Sequence, residues 1–554
     1  MLYRGLAIVI LVPIILGVPY LLRPAQEQFG PDALTLTALS PHNEAIRFEF
    51  ERAFSRWHQE HHGQPVRIDW RSIGGTGEIA RYLASEYVSA FRAHWTDTLH
   101  KPWTSAVESG FANRHIDPAK PRSGTPAEAV EGRRAFLASN VGIGVDMFFG
   151  GGWYDHDKQA RIGNTVPCGI QADYPELRRP EIMPRTASGE IMYDEHDRYY
   201  GCCLTCFGIC YNRDALERLG IDQTPAQWRD LADPRFSGQI GLADPTKSGS
   251  ANKAFEMLIQ QQIALEVRER CRKQGVSKLG PKDEQTAVAD GFWRGMRLIQ
   301  RIAANSRYFT NTSSKVPIDV VQGNAAAGMC IDFYGRFEAG MAEEREGTHR
   351  MDYVTPVGGS SVSADPISML RGAPHPELAR RFVYFCLTPE GQTLWYYRVG
   401  TPGGPVKYAL RRLPIRRDVY TPEHRRHASD PEVDPYKLAE AFTYDGRWTG
   451  PLFDFIRRFI RAMCIDTHNE LTAAWSAIIA AGGPDARPDA VRQMQQMPLT
   501  YDEAKKLDLR NKLEAVRLAR EWDAHFRTNY LAARRLALRG VAAHGSPGQG
   551  GTGR

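Results

Sequence analysis

Apolar and polar positions alternate over Leu34–Leu39, and a helical spacing follows at Ile46, Phe50, Ala53, Phe54 and Trp57. These are the period-two and period-3.6 signatures of a strand and an amphipathic helix. Between them Ser40 and Pro41 supply a cap and a first-turn proline. Val66, Ile68 and Trp70 repeat the strand pattern, and the glycine-rich turn from Ser72 to Gly77 leads into a helix running to about Ala93. Short connections of this kind predict neighbouring parallel strands with helices on their faces. Residues 94–130 are rich in Pro, Ser, Thr and charge and predict an insertion or long surface loop. Residues 141–149 resume as a strand that ends on Gly150, Gly151 and Gly152. Bare backbone then lies at the carboxyl edge, where open α/β sheets bind ligands.

Residues 202–211 form an apolar run that reads as a buried strand, and a new unit begins near Ile209. Pro245 ends a further strand, and Thr246, Ser248 and Ser250 supply caps before an apolar pattern at Ala254, Phe255, Leu258, Ile259 and Ile263. Unpaired backbone N–H groups at such a helix start, with Gly249 and Lys247 beside them, suit an anion, although an ordinary capped helix uses the same residues. Helical regions are predicted over residues 251–272 and 286–305. A strand then arrives at Asp332, Phe333 and Tyr334, an aromatic tip bearing a carboxylate. Short strands at residues 353–356 and 366–370 precede two helices. Residues 411–436 are Arg/Pro-rich and read as a linker, and the last hundred or so are helical by composition before a Gly/Ser tail.

A length of 554 residues predicts two or more domains, and 42% hydrophobic with 24% charged residues reads as a globular protein. The 70 basic and 64 acidic residues are interspersed, so no nucleic-acid stripe is present, while a net charge of +6 mildly favours anionic ligands. Arg4 followed by an apolar run over residues 6–22 has the form of a signal peptide or membrane helix, and either reading exports the rest. With no Ala-x-Ala-like site behind it, an uncleaved anchor over residues 1–24 is favoured. Of nine cysteines, Cys202, Cys203, Cys206 and Cys210 crowd together. Cys203-x-x-Cys206 has a zinc-like spacing, but no second pair completes a ligand set, so packing as small hydrophobes is favoured, with one disulfide left open. His58, His61 and His62 read as a solvated helix end. No Gly-x-Ser-x-Gly elbow or zinc-protease helix occurs, and neither an enzyme nor a cofactor is expected.

The ordered set of motifs resembles the type II periplasmic solute-binding proteins of ABC importers, in particular their ferric-ion-binding branch. The residues that carry this are Ser40 to Glu44, Val145 to Phe149, Gly208 to Asn212, Trp228 to Pro234, Asp244 to Thr246 with Ser248 and Gly249, and Asp365 to Ile367 with Ala373 to Ala379. The resemblance implies a two-lobed α/β fold with parallel-rich sheets. Lobe 1 takes residues 33–205, lobe 2 takes 206–350, and 351–410 return to lobe 1. A linker with a C-terminal helical extension occupies 411–543 and a disordered tail 544–554. In that branch iron is held by a histidine, an acidic residue and two adjacent tyrosines, with an anion on a Ser-Gly turn. By position these fall on His42, on or near Gly151, on Phe333 and Tyr334, and on Ser248 to Ser250. Two of the four metal ligands are missing, which points away from a hard ferric ion and toward a phosphorylated or carboxylated solute. The implied ligand residues are Ser40, His42, Gly75, Thr76, Gly77, Gly150, Gly151, Gly152, Ser248, Gly249, Ser250, Asp332, Phe333 and Tyr334. His42 and Tyr334 become metal ligands only if iron is bound. The expected protein is a monomeric receptor outside the inner membrane that passes its solute to an ABC permease. A membrane-anchored sensor on the same fold is the alternative.

Overall fold

Strand β1 (Leu34–Leu39) lies between β2 (Val66–Arg71) and β3 (Met147–Phe149) and runs parallel to both in the computed structural model, which describes residues 32–509 and 511–544. Its alternating sequence predicts one buried face, yet its last four residues are all buried, because strands flank it and helices cover both sides. Helix α1 (Glu44–His62) turns Ile46, Phe50, Phe54 and Trp57 inward. Its cap is not Ser40 but Asn43, whose side-chain oxygen accepts the Ile46 N–H at 3.1 Å. Helix α2 (Thr76–Ala93) follows β2, and α3 (Trp153–Ile162) follows β3.

The apolar run at 202–211 is two strands rather than one. β7 (Tyr200–Thr205) belongs to the first sheet and β8 (Phe207–Asn212) to the second, with the chain crossing between lobes at Cys206. Between β3 and β7 lie the short β4 (Thr165–Val166), β5 (Thr186–Ala187) and β6 (Glu190–Ile191). The second sheet adds β9 (Ile240–Ala243), β10 (Ser306–Thr310), β11 (Ala327–Ile331) and β12 (Met351–Val354) in the order β10-β9-β11-β8-β12. Strand β12, placed by sequence in the return, therefore stays in lobe 2. The chain comes back over residues 355–362 into β13 (Ser363–Leu370), and β14 (Leu413–Pro414) closes the first sheet, ordered β14-β7-β13-β3-β1-β2.

The parallel-rich expectation needs correction, since both sheets are mixed. β13 enters its sheet from the crossing and so opposes β3 and β7, while β8 leaves the crossing and opposes β11 and β12. This directionality fixes the site. β1, β2 and β3 all run toward the crossing edge, as do β9, β10 and β11, which are mutually parallel. The loops after these strands consequently face each other across one crevice.

Two further regions differ from expectation. Residues 94–130 hold helical turns whose Trp95, Val107 and Phe111 join Ile79, Leu83, Phe91 and Phe136 in a core of their own, so polar composition concealed an ordered subdomain. Residues 411–436 are not a linker, because Arg412, Leu413 and Ile415 are buried and β14 pairs with β7. Beyond them, α4 (Gly249–Gln274) and α5 (Pro281–Ala304) of lobe 2 receive the C-terminal helices α7 (Phe453–Ile460), α8 (His468–Ala480) and α9 (Lys512–His544); α6 (Asp332–Glu346) lies between α5 and α7 in sequence. Trp293 meets Phe459 at 5.6 Å, and Trp475 donates to Asn305 at 2.7 Å. Among the described residues no helix is long and apolar enough to cross a membrane. The apolar run at residues 6–22 and the tail from residue 545 lie outside them. All nine cysteines are unpaired, and Cys202, Cys203, Cys206 and Cys210 are buried.

Candidate functional site

Ser40 follows β1 and its hydroxyl accepts the His42 N–H at 3.1 Å, at the end of the strand that faces the other lobe. There His42 Nε2 lies 3.4 Å from Asp365 on β13 and 3.2 Å from Nη1 of Arg412, one residue before β14. Arg412 and Asp365 form an ion pair, and the guanidinium is fully buried. It lies 4.2 Å from the Phe333 ring of lobe 2 and 5.2 Å from the Trp395 ring of lobe 1. Phe333 packs on Tyr334 at 4.1 Å. Burial works against the charge on Asp365, but Arg412 and His42 outweigh it and hold the carboxyl well below the usual range. Burial likewise opposes charge on Arg412, and Asp365 more than offsets it. Desolvation lowers the His42 pKa against the pull of Asp365, so the ring is neutral near pH 7.

Four polar atoms of this cluster have no hydrogen-bond partner: His42 Nδ1, Asp365 Oδ1, Arg412 Nε and Arg412 Nη2, the last held only by its ion pair with Asp365. Buried polar atoms are rarely left so, because each carries its full desolvation cost. A cation wrapped by aromatic rings with a spare N–H, beside a spare carboxylate oxygen, can grip a small polar molecule.

From this cluster the predicted residues run in an unbroken line to the Ser-Gly turn. Gly150 and Gly151 adopt left-handed φ values of 93° and 100°. A Cβ on Gly150 would fall 2.4 Å from the His42 ring, and one on Gly151 would fall 2.5 Å from Thr76. Only glycine fits either place. Across the crevice, Cβ positions on Gly249 and Gly75 would lie 3.9 Å from Thr76 Oγ1 and 3.5 Å from the Lys247 carbonyl, so the two lobes touch here. Ser248 caps α4 by accepting the Ala251 N–H at 3.3 Å. Its hydroxyl lies 3.1 Å from that of Ser250, which in turn lies 2.8 Å from that of Ser313. Gly77 sits in the first turn of α2, and Gly152 caps α3. Thus Ser40, His42, Gly75, Thr76, Gly150, Gly151, Ser248, Gly249, Ser250, Phe333 and Tyr334 come together where the two lobes meet.

Asp332 does not present its carboxylate as expected. One oxygen accepts the Phe333 N–H at 2.8 Å and the other pairs with Arg336. The helix that starts at this residue turns the acid inward. His58, read as solvated, is also buried and meets Arg381 at 3.1 Å. Arg412 is the residue that sequence reading missed, since its arginine-rich setting resembles solvent-facing chain. A buried hydrophobic pair, Leu413 with Ile415, was the available signal.

Beneath Gly150, His156 accepts from Ser368 at 2.6 Å and donates to the Gly150 carbonyl at 3.0 Å. Its burial pushes the pKa down to about 4. A buried neutral histidine gives up stability as pH falls from the unfolded value of about 6.5 to the folded one, about 3 kcal/mol in all. Urea denaturation between pH 7 and 4 is expected to show this extra loss in the native chain and not in His156→Gln. Equal pH slopes would remove His156 as its source.

The sequence profile of the bacterial extracellular solute-binding proteins matches residues 140–417, half of the chain. The chain belongs to this family. An uncharacterised protein of Haemophilus influenzae is 24% identical to this solute-binding protein over 250 residues, 45% of this chain and 60% of the relative. The phosphoglycerate transport regulatory protein PgtC of Salmonella typhimurium is 23% identical over 188 residues, 34% of this chain and 38% of the relative. The chain thus spans less than two thirds of either curated relative. Among solved structures, the periplasmic binding protein AfuA of Actinobacillus pleuropneumoniae, with fructose 6-phosphate bound, aligns with a TM-score of 0.46 at 15% identity, covering 76% of this chain and 98% of that one. Iron-bound HitA of Pseudomonas aeruginosa aligns with a TM-score of 0.42 at 15% identity, covering 77% and 98%.

Proposed function

We propose that this solute-binding protein is a receptor outside the inner membrane that closes its lobes on one small phosphorylated or carboxylated solute and delivers it, as a monomer, to an ABC permease. The observation that carries the reading is Arg412, fully buried with Nε unpartnered, between Phe333 of one lobe and Trp395 of the other. The edge formed by Nε and Nη2, neither of which has a hydrogen-bond partner, can present two N–H groups to an anion's oxygens. His42 Nδ1 adds a polar contact from lobe 1, and the hydroxyls of Ser248 and Ser250 at the α4 start add a second place for negative charge. Because Phe333 and Ser248 come from lobe 2 and His42 and Arg412 from lobe 1, the solute would stabilise the closed form over the open one.

A thermal-shift panel of sugar phosphates, phosphoglycerates, dicarboxylates, polyamines and ferric citrate tests the solute class. Stabilisation by phosphorylated or carboxylated compounds is expected, and stabilisation by polyamines alone would overturn it. Ser248→Asp places a carboxylate against the anion and is expected to weaken the shift at least tenfold in ligand concentration. An unchanged shift would exclude the turn from the site.

One observation favours a second reading as a ligand sensor. The C-terminal segment touches both lobes, with Phe453 5.1 Å from Tyr154 of lobe 1 and its carbonyl accepting from Asn252 of lobe 2 at 3.0 Å. Closure would then be read through the C-terminal helices by a partner in the membrane.

A further inference from the structure

Helix α9 lays Leu518, Trp522, Phe526, Tyr530, Ala533 and Ala537 into the core of the C-terminal extension. Its opposite face carries Leu531, Arg534, Arg535, Leu538 and Arg539, spaced i, i+3, i+4, i+7 and i+8, which is one continuous stripe. Leu531 is 41% exposed and Leu538 is 49% exposed, although a leucine a heptad from another on a packed helix is ordinarily covered. Leu513, at 84%, lies on the same line five turns earlier.

On the helix itself, the charges beside Leu531 and Leu538 are of one sign, the nearest carboxylate from another element being Asp489, which Arg487 holds. Asp523 is the last acidic residue of the chain. Arg527 is held by Glu470 and Asp523, while Arg534, Arg535 and Arg539 form no ion pair among the described residues and are exposed. Two naked leucines flanked by three uncompensated guanidinium groups thus share two helical turns.

We propose that this stripe lies flat on an anionic lipid surface, with the guanidinium groups on lipid phosphates and Leu531 and Leu538 at the acyl boundary. Leu531 and Leu538 lie on one line of the helix, with Arg534 on one side of it and Arg535 and Arg539 on the other. A protein groove takes an apolar ridge, whereas a bilayer interface takes both together, since the long arginine side chains reach headgroup level from beside the buried leucines. A guanidinium fork fits a lipid phosphate through two N–H groups. The proposal is independent of which solute occupies the crevice.

Limited trypsinolysis of the intact protein, with cleavage sites mapped by mass, tests it locally. Vesicles containing phosphatidylglycerol are expected to slow cutting after Arg534, Arg535 and Arg539 about tenfold, and vesicles of phosphatidylcholine alone are expected to leave it unchanged. Cutting at Arg229, on lobe 2, is the internal control, and high salt should abolish the protection. Replacing all three arginines with glutamate is expected to reduce the difference in co-sedimentation between anionic and neutral vesicles by on the order of a hundredfold, with no change in melting temperature. Unchanged cutting on anionic vesicles, or equal protection by both kinds, overturns the proposal. Protection by protein-bearing inner-membrane vesicles but not by protein-free anionic ones also overturns it and assigns the stripe to an acidic protein surface.

Discussion

Arg412→Met is expected to destabilise the folded chain by about 3–5 kcal/mol and to abolish measurable solute binding. The size follows from what is left behind. Asp365 sits buried with Arg412 as its ion-pair partner and a neutral His42 beside it, so loss of the guanidinium strands a carboxylate in a site that cannot solvate it. The double variant Arg412→Met with Asp365→Asn removes both charges and should recover most of the stability while leaving binding absent. Arg412→Lys separates the two roles. It keeps the charge beside Asp365 but replaces a planar fork with a point cation, and is expected to fold normally and bind about 10- to 100-fold more weakly. Denaturant midpoints and calorimetry on the three variants check this. A stable Arg412→Met chain with native affinity would contradict the site.

Lys253→Met is expected to cost a similar amount, again about 3–5 kcal/mol, at a different place. Lys253 of α4 lies 2.8 Å from Glu190 of lobe 1 and 3.0 Å from Glu256 of its own helix, both carboxylates nearly inaccessible to water. Tyr444 of the C-terminal extension covers the ammonium at 3.9 Å and donates to Glu256 at 2.9 Å. Burial opposes the charge on Lys253, and Glu190, Glu256 and Tyr444 together outweigh it. One ammonium thus joins lobe 1, lobe 2 and the extension, and without it two carboxylates face each other in the interior. The lobes are expected to part, with a larger radius of gyration by small-angle scattering. Adding Glu190→Gln and Glu256→Gln should restore much of the stability. An unaltered midpoint and radius for Lys253→Met would show that the node does not hold the lobes together.

What could be read from the sequence was set by local pattern. β1 spans the alternating run Leu34–Leu39, Ser248 caps the helix whose apolar spacing begins at Ala254, and the glycines at 150 and 151 do sit where side chains cannot. Each is decided within a few residues by periodicity or by backbone freedom. What escaped is decided by distant partners. Arg412 reads as solvated until Asp365 is placed against it. The run at 202–211 reads as one strand because nothing local marks Cys206 as the crossing between sheets. Asp332 reads as a free acid until Arg336 meets it one helical turn on. Strand direction escaped for the same reason, since β13 is antiparallel only because of where the chain re-enters its sheet.

The central claim, that a small anion is gripped between the lobes by its charge, is tested most directly by calorimetric titration of the intact protein with a matched pair. The pair is a phosphorylated or carboxylated compound from the thermal-shift panel and its neutral analogue on the same carbon skeleton. One anion bound per chain, with the neutral analogue weaker by at least about a hundredfold, is the predicted result. Equal affinity for the two would contradict it.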